Sequence, residues 1–406
     1  MLLSWQFWPL YLLIAAMWLL PARWRKTRFS VLSFLGFAAL AVWILLPAPR
    51  MIEPDGPYGV GTRIFRWVDE SRPEVATEDP HDRRNVILQV FYPTDKGDAG
   101  PHSVYMDGLS NLPERVSVLP RFLLRNFDRI DTHSVTGAAF APGGQRWPVV
   151  IFSPGYGATR SFYTSLITGL ASRGLVVLAI DHPYEAGVAE LAGGEVVGTV
   201  VRRLPNDPDL IGYMTRQQGI RVADIRFALD RIAQTEFAPH LDFGHLMAAG
   251  HSFGGASSLA AMGEDRRIQA AVNIDGTPYG SLPEKHLDRP VMMIVSDPAM
   301  GKSSESFRTG NQRILRNLSG AAGYRYTFGG NSHYSFSDFP LFFSRPGQWL
   351  LARTVGGSWD PEETQRATLE FLTAFLMDPA GLDRVQAHYS WVSGGRVQAG
   401  GSARSR

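Results

Sequence analysis

The chain has 406 residues, 45% of them hydrophobic and 19% charged, enough apolar material for one large domain or two ordinary ones. It contains no cysteine, which excludes disulfides, thiolate metal sites and a cysteine nucleophile. A formal charge of +2, with no stripe of interleaved basic and aromatic residues, gives no footprint for a nucleic-acid partner.

Leu2–Leu20 and Phe29–Leu46 are apolar stretches without a charged residue. As helices rising about 1.5 Å per residue, each is about 28 Å long, close to the hydrocarbon thickness of a bilayer. Arg23, Arg25, Lys26 and Arg28 lie between them, and a short basic loop of this kind stays in the cytoplasm. A two-helix transmembrane segment over 1–48 is therefore expected, with Trp5, Trp8, Trp24 and Trp43 at interfacial positions. The alternative is a signal peptide, with Arg23–Arg28 as its basic region and Phe29–Leu46 as its apolar region. Both put the remaining chain on the periplasmic or extracellular side.

Pro57–Asp69 and Asn85–Pro93 read as strands, the second rich in branched and aromatic residues. Leu112–Asn126 reads as a helix or irregular cap. α/β alternation then begins. Pro148–Phe152 is a short, continuous apolar run, as in a strand buried on both faces. A glycine turn, Ser153–Gly157, follows it, then a helix over 160–172 and a strand over 175–180. Residues 185–208 form an excursion with a Gly193-Gly194 turn, and 211–234 an amphipathic helix. Strands are expected at 268–274, 291–295 and 324–328, and helices at 304–318 and 365–377. Residues 394–406 read as a polar, mobile tail. The organisation expected is a membrane segment over 1–48, one doubly wound, mostly parallel α/β domain over 49–378, and a C-terminal tail over 379–406.

The chemistry centres on Gly250-His251-Ser252-Phe253-Gly254-Gly255. An apolar run, 246–249, precedes it and a helix-like run, 256–262, follows. Strand, G-x-S-x-G, helix is the context of a nucleophile elbow in the α/β-hydrolase fold. The serine sits on a strained turn, and glycines two residues to either side leave room for it. A serine hydroxyl needs a base, and the base needs an orienting acid. His333 follows the last strand of the domain. Asp275 and Asp297 each end a strand, so position alone leaves both open. Two backbone N–H groups are needed for a developing oxyanion. Phe253, after the nucleophile, supplies one candidate and Tyr156, in the glycine turn, the other. His251 reads as structural, and His182 as a lesser candidate for substrate contact. No H-E-x-x-H or comparable metal spacing occurs, and no cofactor is expected.

Residues 153–163 (SPGYGATRSFY), 250–256 (GHSFGGA), 273–276 (NIDG) and 332–339 (SHYSFSDF) together resemble the plasma and type II platelet-activating-factor acetylhydrolases and their bacterial relatives, over about 56–376. The resemblance implies an α/β-hydrolase fold and a triad of Ser252, Asp275 and His333, with the N–H groups of Tyr156 and Phe253 as oxyanion donors. It also implies calcium-independent hydrolysis of short or oxidised sn-2 acyl chains on phospholipids. The chain departs from the family at Pro154, where members often carry histidine, in the excursion 185–208 and in its two apolar N-terminal stretches. The alternatives are a dienelactone-hydrolase-like or polyester-cleaving esterase and, from another class, a membrane-tethered binding module without catalysis.

Overall fold

The computed structural model describes residues 49–98, 100–109, 127–200, 209–301, 304–354, 357 and 360–397, with a few isolated positions before residue 49. The two apolar stretches, apart from those positions, and the expected cap at 112–126 lie outside the described residues. Among the described residues no helix is long and apolar enough to cross a membrane.

The described strands are β1 (Gly59–Pro73), β2 (Arg83–Thr94), β3 (Val135–Thr136), β4 (Trp147–Ser153), β5 (Val176–Asp181), β6 (Ala189–Glu190), β7 (Val196–Val197), β8 (Leu241–His251), β9 (Ala270–Ile274), β10 (Val291–Ser296), β11 (Gly323–Phe328) and β12 (Val392–Val397). The helices are α1 (Thr164–Ser172), α2 (Leu210–Ile232), α3 (Phe253–Glu264), α4 (Glu305–Arg316), α5 (Arg345–Thr354), α6 (Pro361–Met377) and α7 (Leu382–His388). One sheet runs β12-β11-β10-β9-β8-β4-β5-β2-β1-β3, and β6 and β7 form a separate hairpin around the Gly193-Gly194 turn. The strands from β5 to β11 pair in parallel, whereas β2 and β12 join its two sides antiparallel.

Alternation along each central strand sends side chains into two cores. Val149 and Ile151 of β4, with Leu246 and Ala248 of β8, pack under α2, α3 and α4. Val150 and Phe152, with Met247 and Ala249, pack under α1, α6 and α7. Both faces of the sheet are thus covered, which is why these strands read as unbroken apolar runs. Helix α6 starts where Pro361 follows Asp360, whose carboxylate accepts from the Glu363 N–H at 3.0 Å.

The chain leaves β4 toward β5 and returns on the other side of β4 as β8. A crevice opens at such a reversal, outside the carboxyl ends of the strands. It sets the turn after β4 beside the turn after β8, with Ser153 paired opposite Gly250.

One expectation is corrected. The described part of the tail expected over 379–406 is folded: α7 packs Leu382 into the second core, and Val392–Val397 pairs antiparallel with Phe328–Gly323. Its glycines at 394 and 395 have φ of 128° and 145°, and a Cβ at Gly394 would collide with the Arg325 carbonyl. Those glycines read as tail in the sequence, but they are what lets this edge strand lie close to β11.

Phe371 is fully buried where α6 meets the sheet, its ring 4.4 Å from that of Tyr326 and 5.6 Å from that of Phe328. Phe371→Ala should cost about 3–5 kcal/mol, read as a lower urea midpoint at unchanged slope. A loss below about 1 kcal/mol would mean that α6 is held by something other than this contact.

Candidate active site

Ser252 stands between β8 and α3 with φ 56° and ψ −125°, a conformation few side chains adopt. It is tolerated because the surrounding backbone fixes it. The Ser252 N–H donates to the Ile274 carbonyl at 2.7 Å. A Cβ on Gly250 would lie 2.5 Å from the Ser153 carbonyl oxygen, and one on Gly254 would meet the Ser153 and Pro154 carbonyls. Helix α3 begins at the next residue and directs its N-terminus at the serine, where negative charge is favoured.

His333 lies in the short helical turn after β11, and its Nε2 is 3.0 Å from Ser252 Oγ. Its Nδ1 is 2.7 Å from Asp275 Oδ2. Asp275 itself has φ 55° and sits just past the end of β9. Its other oxygen accepts from the Ser296 N–H at 2.8 Å and the Ser296 hydroxyl at 2.9 Å. Burial pushes this carboxyl up, but the hydrogen bond and charge of His333, with the Ser296 N–H, outweigh burial and hold it below the usual carboxylate range. The acid turn is tied down by Asn273, whose side chain accepts from the Gly276 N–H and donates to the Gly276 carbonyl, both at 2.9 Å. Asp297, the other strand-end acid, faces elsewhere. Its oxygens accept from the Ala299 and Gly330 N–H groups, each at 2.8 Å.

The turn after β4 lies against the serine: a Cβ on Gly155 would be 3.4 Å from Ser252 Cβ. Tyr156 follows, and its ring packs edge-on against that of Phe253 with centroids 5.9 Å apart. As the first residue of α3, Phe253 has no intrahelical acceptor for its N–H. No backbone bond among the described residues engages the Tyr156 N–H. The Tyr156 hydroxyl is 2.9 Å from that of Tyr213 on α2.

His251 is buried and structural. Its Nε2–H donates to the His333 carbonyl at 2.9 Å, which leaves Nδ1 to accept from the Tyr163 hydroxyl at 2.8 Å. Tyr163 accepts in turn from the Gly155 N–H at 3.1 Å. One chain of bonds therefore links the turn after β4 to the backbone of the histidine loop. Burial, and then the neighbouring His333, push His251 down to about 3.

His182 does not face the site. It is fully buried, with Nδ1 2.8 Å from Asp224 Oδ2 and Nε2 3.0 Å from Ser153 Oγ. Burial, and then the charge of Arg221, push it down to about 4. Sequence reading missed Arg221, a side chain on α2 with 1% exposure that reaches the turn after β4. It stood in an amphipathic helix as one more arginine, and no local pattern marks it as buried. An open pocket of about 850 Å³ lies nearby, lined by Arg72, Glu74, Arg84, Tyr184, Glu185 and Tyr213, and Ser252 does not line it. Among the described residues no group of three or more His, Asp or Glu is placed to hold a metal ion.

The family model of platelet-activating factor acetylhydrolase, isoform II, matches residues 48–192 and 218–394, which include Tyr156, Arg221, Ser252, Asp275 and His333. The chain belongs to that family. A probable 1-alkyl-2-acetylglycerophosphocholine esterase of Arthroderma benhamiae is 27% identical over 56% of this chain and 59% of its own length. The chain thus spans less than two thirds of that relative. A platelet-activating factor acetylhydrolase of Canis lupus familiaris is 24% identical over 80% of this chain and 77% of its own. Among solved structures, a ferulic acid esterase from Streptomyces cinnamoneus superposes with a TM-score of 0.70 at 27% identity, covering 86% of this chain and 99% of that one. This acetylhydrolase-family chain therefore shares its fold with a ferulic acid esterase.

The low value of His251 has a consequence for stability. Between about 3 and the ordinary 6.5 of a free imidazole, the unfolded chain holds a proton at His251 that the folded chain does not. Stability is thus lost as pH falls through that window, by about 1.4 kcal/mol per pH unit for this group. His251→Gln should flatten the decline of unfolding free energy between pH 6 and pH 4 by about that slope. An unchanged slope in denaturant titrations would show that His251 carries its proton in the folded protein.

Proposed function

We propose that the chain is a serine esterase acting through Ser252, His333 and Asp275. The observation that carries this reading is the placement of His333, with Nε2 3.0 Å from Ser252 Oγ and Nδ1 2.7 Å from Asp275. Ser252 Oγ attacks the ester carbonyl carbon while His333 Nε2 takes its proton. Asp275 holds the Nδ1–H, fixing the tautomer and stabilising the imidazolium that forms. The carbonyl electron pair moves onto oxygen, where the N–H groups of Tyr156 and Phe253 receive it. As the pair returns, the alcohol leaves with the proton from His333. Water then attacks the acyl-enzyme by the same route and frees Ser252.

For substrate we propose phospholipids with a short or oxidised sn-2 acyl chain. Membership of the family and the likeness to the fungal and canine relatives support this choice. The ferulic acid esterase favours a second reading, an esterase for soluble or polymeric esters. A panel pairing sn-2 acetyl and sn-2 palmitoyl phospholipids with a methyl ferulate ester separates them. The first reading expects the acetyl lipid to be hydrolysed fastest, and preference for the ferulate would overturn it.

The roles of the two acids can be separated in the same assay. Ser252→Ala should lower kcat by about 10⁶. Asp275→Asn should lower it by about 10³–10⁴, because the histidine loses its tautomer. Asp297→Asn, with its carboxylate on backbone N–H groups instead of His333, should cost less than about tenfold. Reversal of the two aspartates in folded proteins would move the acid to the end of β10.

We further propose that residues 1–48 anchor the domain at the outer face of a membrane, or direct its export. The uncharged stretches and the basic loop between them support this, and the described helical positions Phe34 and Phe37 are exposed. A reporter fused after Ala48 that works only outside the cytoplasm should be active. Activity of a cytoplasm-only reporter at that junction would sink the topology.

A further inference from the structure

Arg221 is among the largest fully buried side chains of the protein, and every polar contact it makes serves the turn after β4 or its own counter-ion. Nε donates to both oxygens of Glu185, at 3.1 and 3.0 Å, and Nη2 lies 3.0 Å from Oε1. Nη1 donates to the Pro154 carbonyl at 2.5 Å and to Ser153 Oγ at 3.2 Å. Nη2 reaches the Gly155 carbonyl at 3.4 Å. The guanidinium carbon lies 4.7 Å from the centre of the Phe253 ring, within cation–π range. One planar cation thus touches both segments from which the oxyanion donors come.

The geometry of a peptide unit gives this contact a direction. The Gly155 carbonyl and the Tyr156 N–H belong to one peptide group, and it is trans, since no cis bond occurs among the described residues. In a trans peptide the C=O and N–H point to opposite sides. The Gly155 oxygen accepts from the Ala158 N–H at 3.1 Å and from Arg221 at 3.4 Å, and holding it on that side turns the Tyr156 N–H to the other. The grip on the neighbouring Pro154 carbonyl, at 2.5 Å, limits rotation of the preceding peptide. We propose that Arg221 is a positioning residue for the oxyanion site, holding the Gly155–Tyr156 peptide so that its N–H faces the reacting carbonyl and seating Phe253 beside it.

A second set of contacts fixes the arginine. Ser153 Oγ, which accepts from Arg221 Nη1, donates to His182 Nε2 at 3.0 Å. His182 Nδ1–H donates to Asp224 at 2.8 Å, and Arg84 holds Asp224 through Nη2 at 2.6 Å. Each donor in this chain meets an acceptor. Lysine cannot replace the fork, because a point charge with rotating donors cannot span Glu185 and two carbonyls in one plane.

This inference rests on the esterase reading, and the experiment keeps the two apart. Arg221→Met and Arg221→Lys are prepared beside Ser252→Ala and assayed on a nitrophenyl ester, with folding followed by thermal melting. Loss of one oxyanion donor costs about 10²–10³ in kcat. Arg221→Met should fall by about 100-fold and Arg221→Lys by about tenfold, both with KM changed less than about threefold. A readout that mere loss of packing would not move is the adduct with a trifluoromethyl ketone carrying a ¹³C carbonyl. Ser252 Oγ adds to that carbon, the carbonyl pair becomes the oxyanion, and the serine proton goes to His333. The pH at which the adduct oxygen gains a proton, read from the ¹³C shift, should rise by about one unit per tenfold loss in kcat.

Three outcomes overturn the proposal. A folded Arg221 variant keeps kcat within about twofold, or kcat falls while the adduct titrates as in the parent protein, or neither variant folds and Arg221 is only a core element. Turnover that survives Ser252→Ala would bring down the nucleophile assignment and this inference with it. An inactive Ser252→Ala beside unaffected Arg221 variants would remove this inference alone.

Discussion

Two backbone turns touch without a side chain between them, and the site is built on that contact. Gly250 and Gly254 leave the turn around Ser252 bare enough to lie on the Ser153 and Pro154 carbonyls. Gly276, in the acid turn, comes against the Ser252 carbonyl in the same way. Three turns, after β4, β8 and β9, are therefore packed backbone to backbone at the carboxyl ends of adjacent strands. An alanine at Gly254 would have to separate the first two, because the colliding atoms are main-chain oxygens that cannot rotate away. The positive φ of Ser252, a conformation costing of order 1–3 kcal/mol, is held by neighbours that leave it no alternative.

Close backbone contact leaves polar groups away from water, and the protein answers with buried ions. Pro154 O has Arg221 as its donor, Gly155 O shares Arg221 with the Ala158 N–H, and Arg221 has Glu185. Arg160, just after the turn, instead binds side chains only, Gln89, Asp107 and Asp181, and Asp181 accepts the Arg160 N–H at 2.7 Å. Replacing such pairs by apolar side chains is often neutral or stabilising, whereas removing one partner leaves a charge stranded. Stability is thus a poor reason for their presence. Apolar residues could fill the space of Arg221 but could not fix the direction of the Pro154 and Gly155 carbonyls, and direction is what the proposed oxyanion site requires.

How much of this was legible in the sequence depends on whether the signal was local. The buried strands announced themselves as apolar runs, and Gly250–Gly255 as a turn between strand and helix, because period and motif are properties of neighbouring residues. His333 followed from chain order. Asp275 and Asp297 could not be separated by position, since both end strands; what separates them is the side-chain direction, and Ser296 marks the difference by donating twice to Asp275. The end of the chain from Gly394 reads as tail because two glycines weaken a strand signal, yet the pairing of Val392–Val397 with β11 depends on a partner some seventy positions earlier. Arg221 was invisible for the same reason. Its partners, Glu185 and the turn at 153–155, come from other elements, and a helical period says which face is buried but not that a cation sits on it.

Among the described residues the same three residue types occur twice in one hydrogen-bond order, and only one set is proposed as catalytic. Ser252, His333 and Asp275 are joined at 3.0 and 2.7 Å; Ser153, His182 and Asp224 are joined at 3.0 and 2.8 Å. Distance does not distinguish them. Exposure does, since the His333 side chain is 39% exposed and that of His182 is 1%. The environments differ as well. The Ser153 hydroxyl accepts from Arg221, which lowers the electron density a nucleophile would need, and a buried cation beside His182 opposes the imidazolium that a general base must become. Ser252 instead meets the N-terminus of α3, where negative charge is favoured. A serine, a histidine and an aspartate in line are therefore not sufficient for this chemistry. Where a substrate can enter and where positive charge stands in relation to serine and histidine separate the set proposed to transfer an acyl group from the set that holds a turn in place.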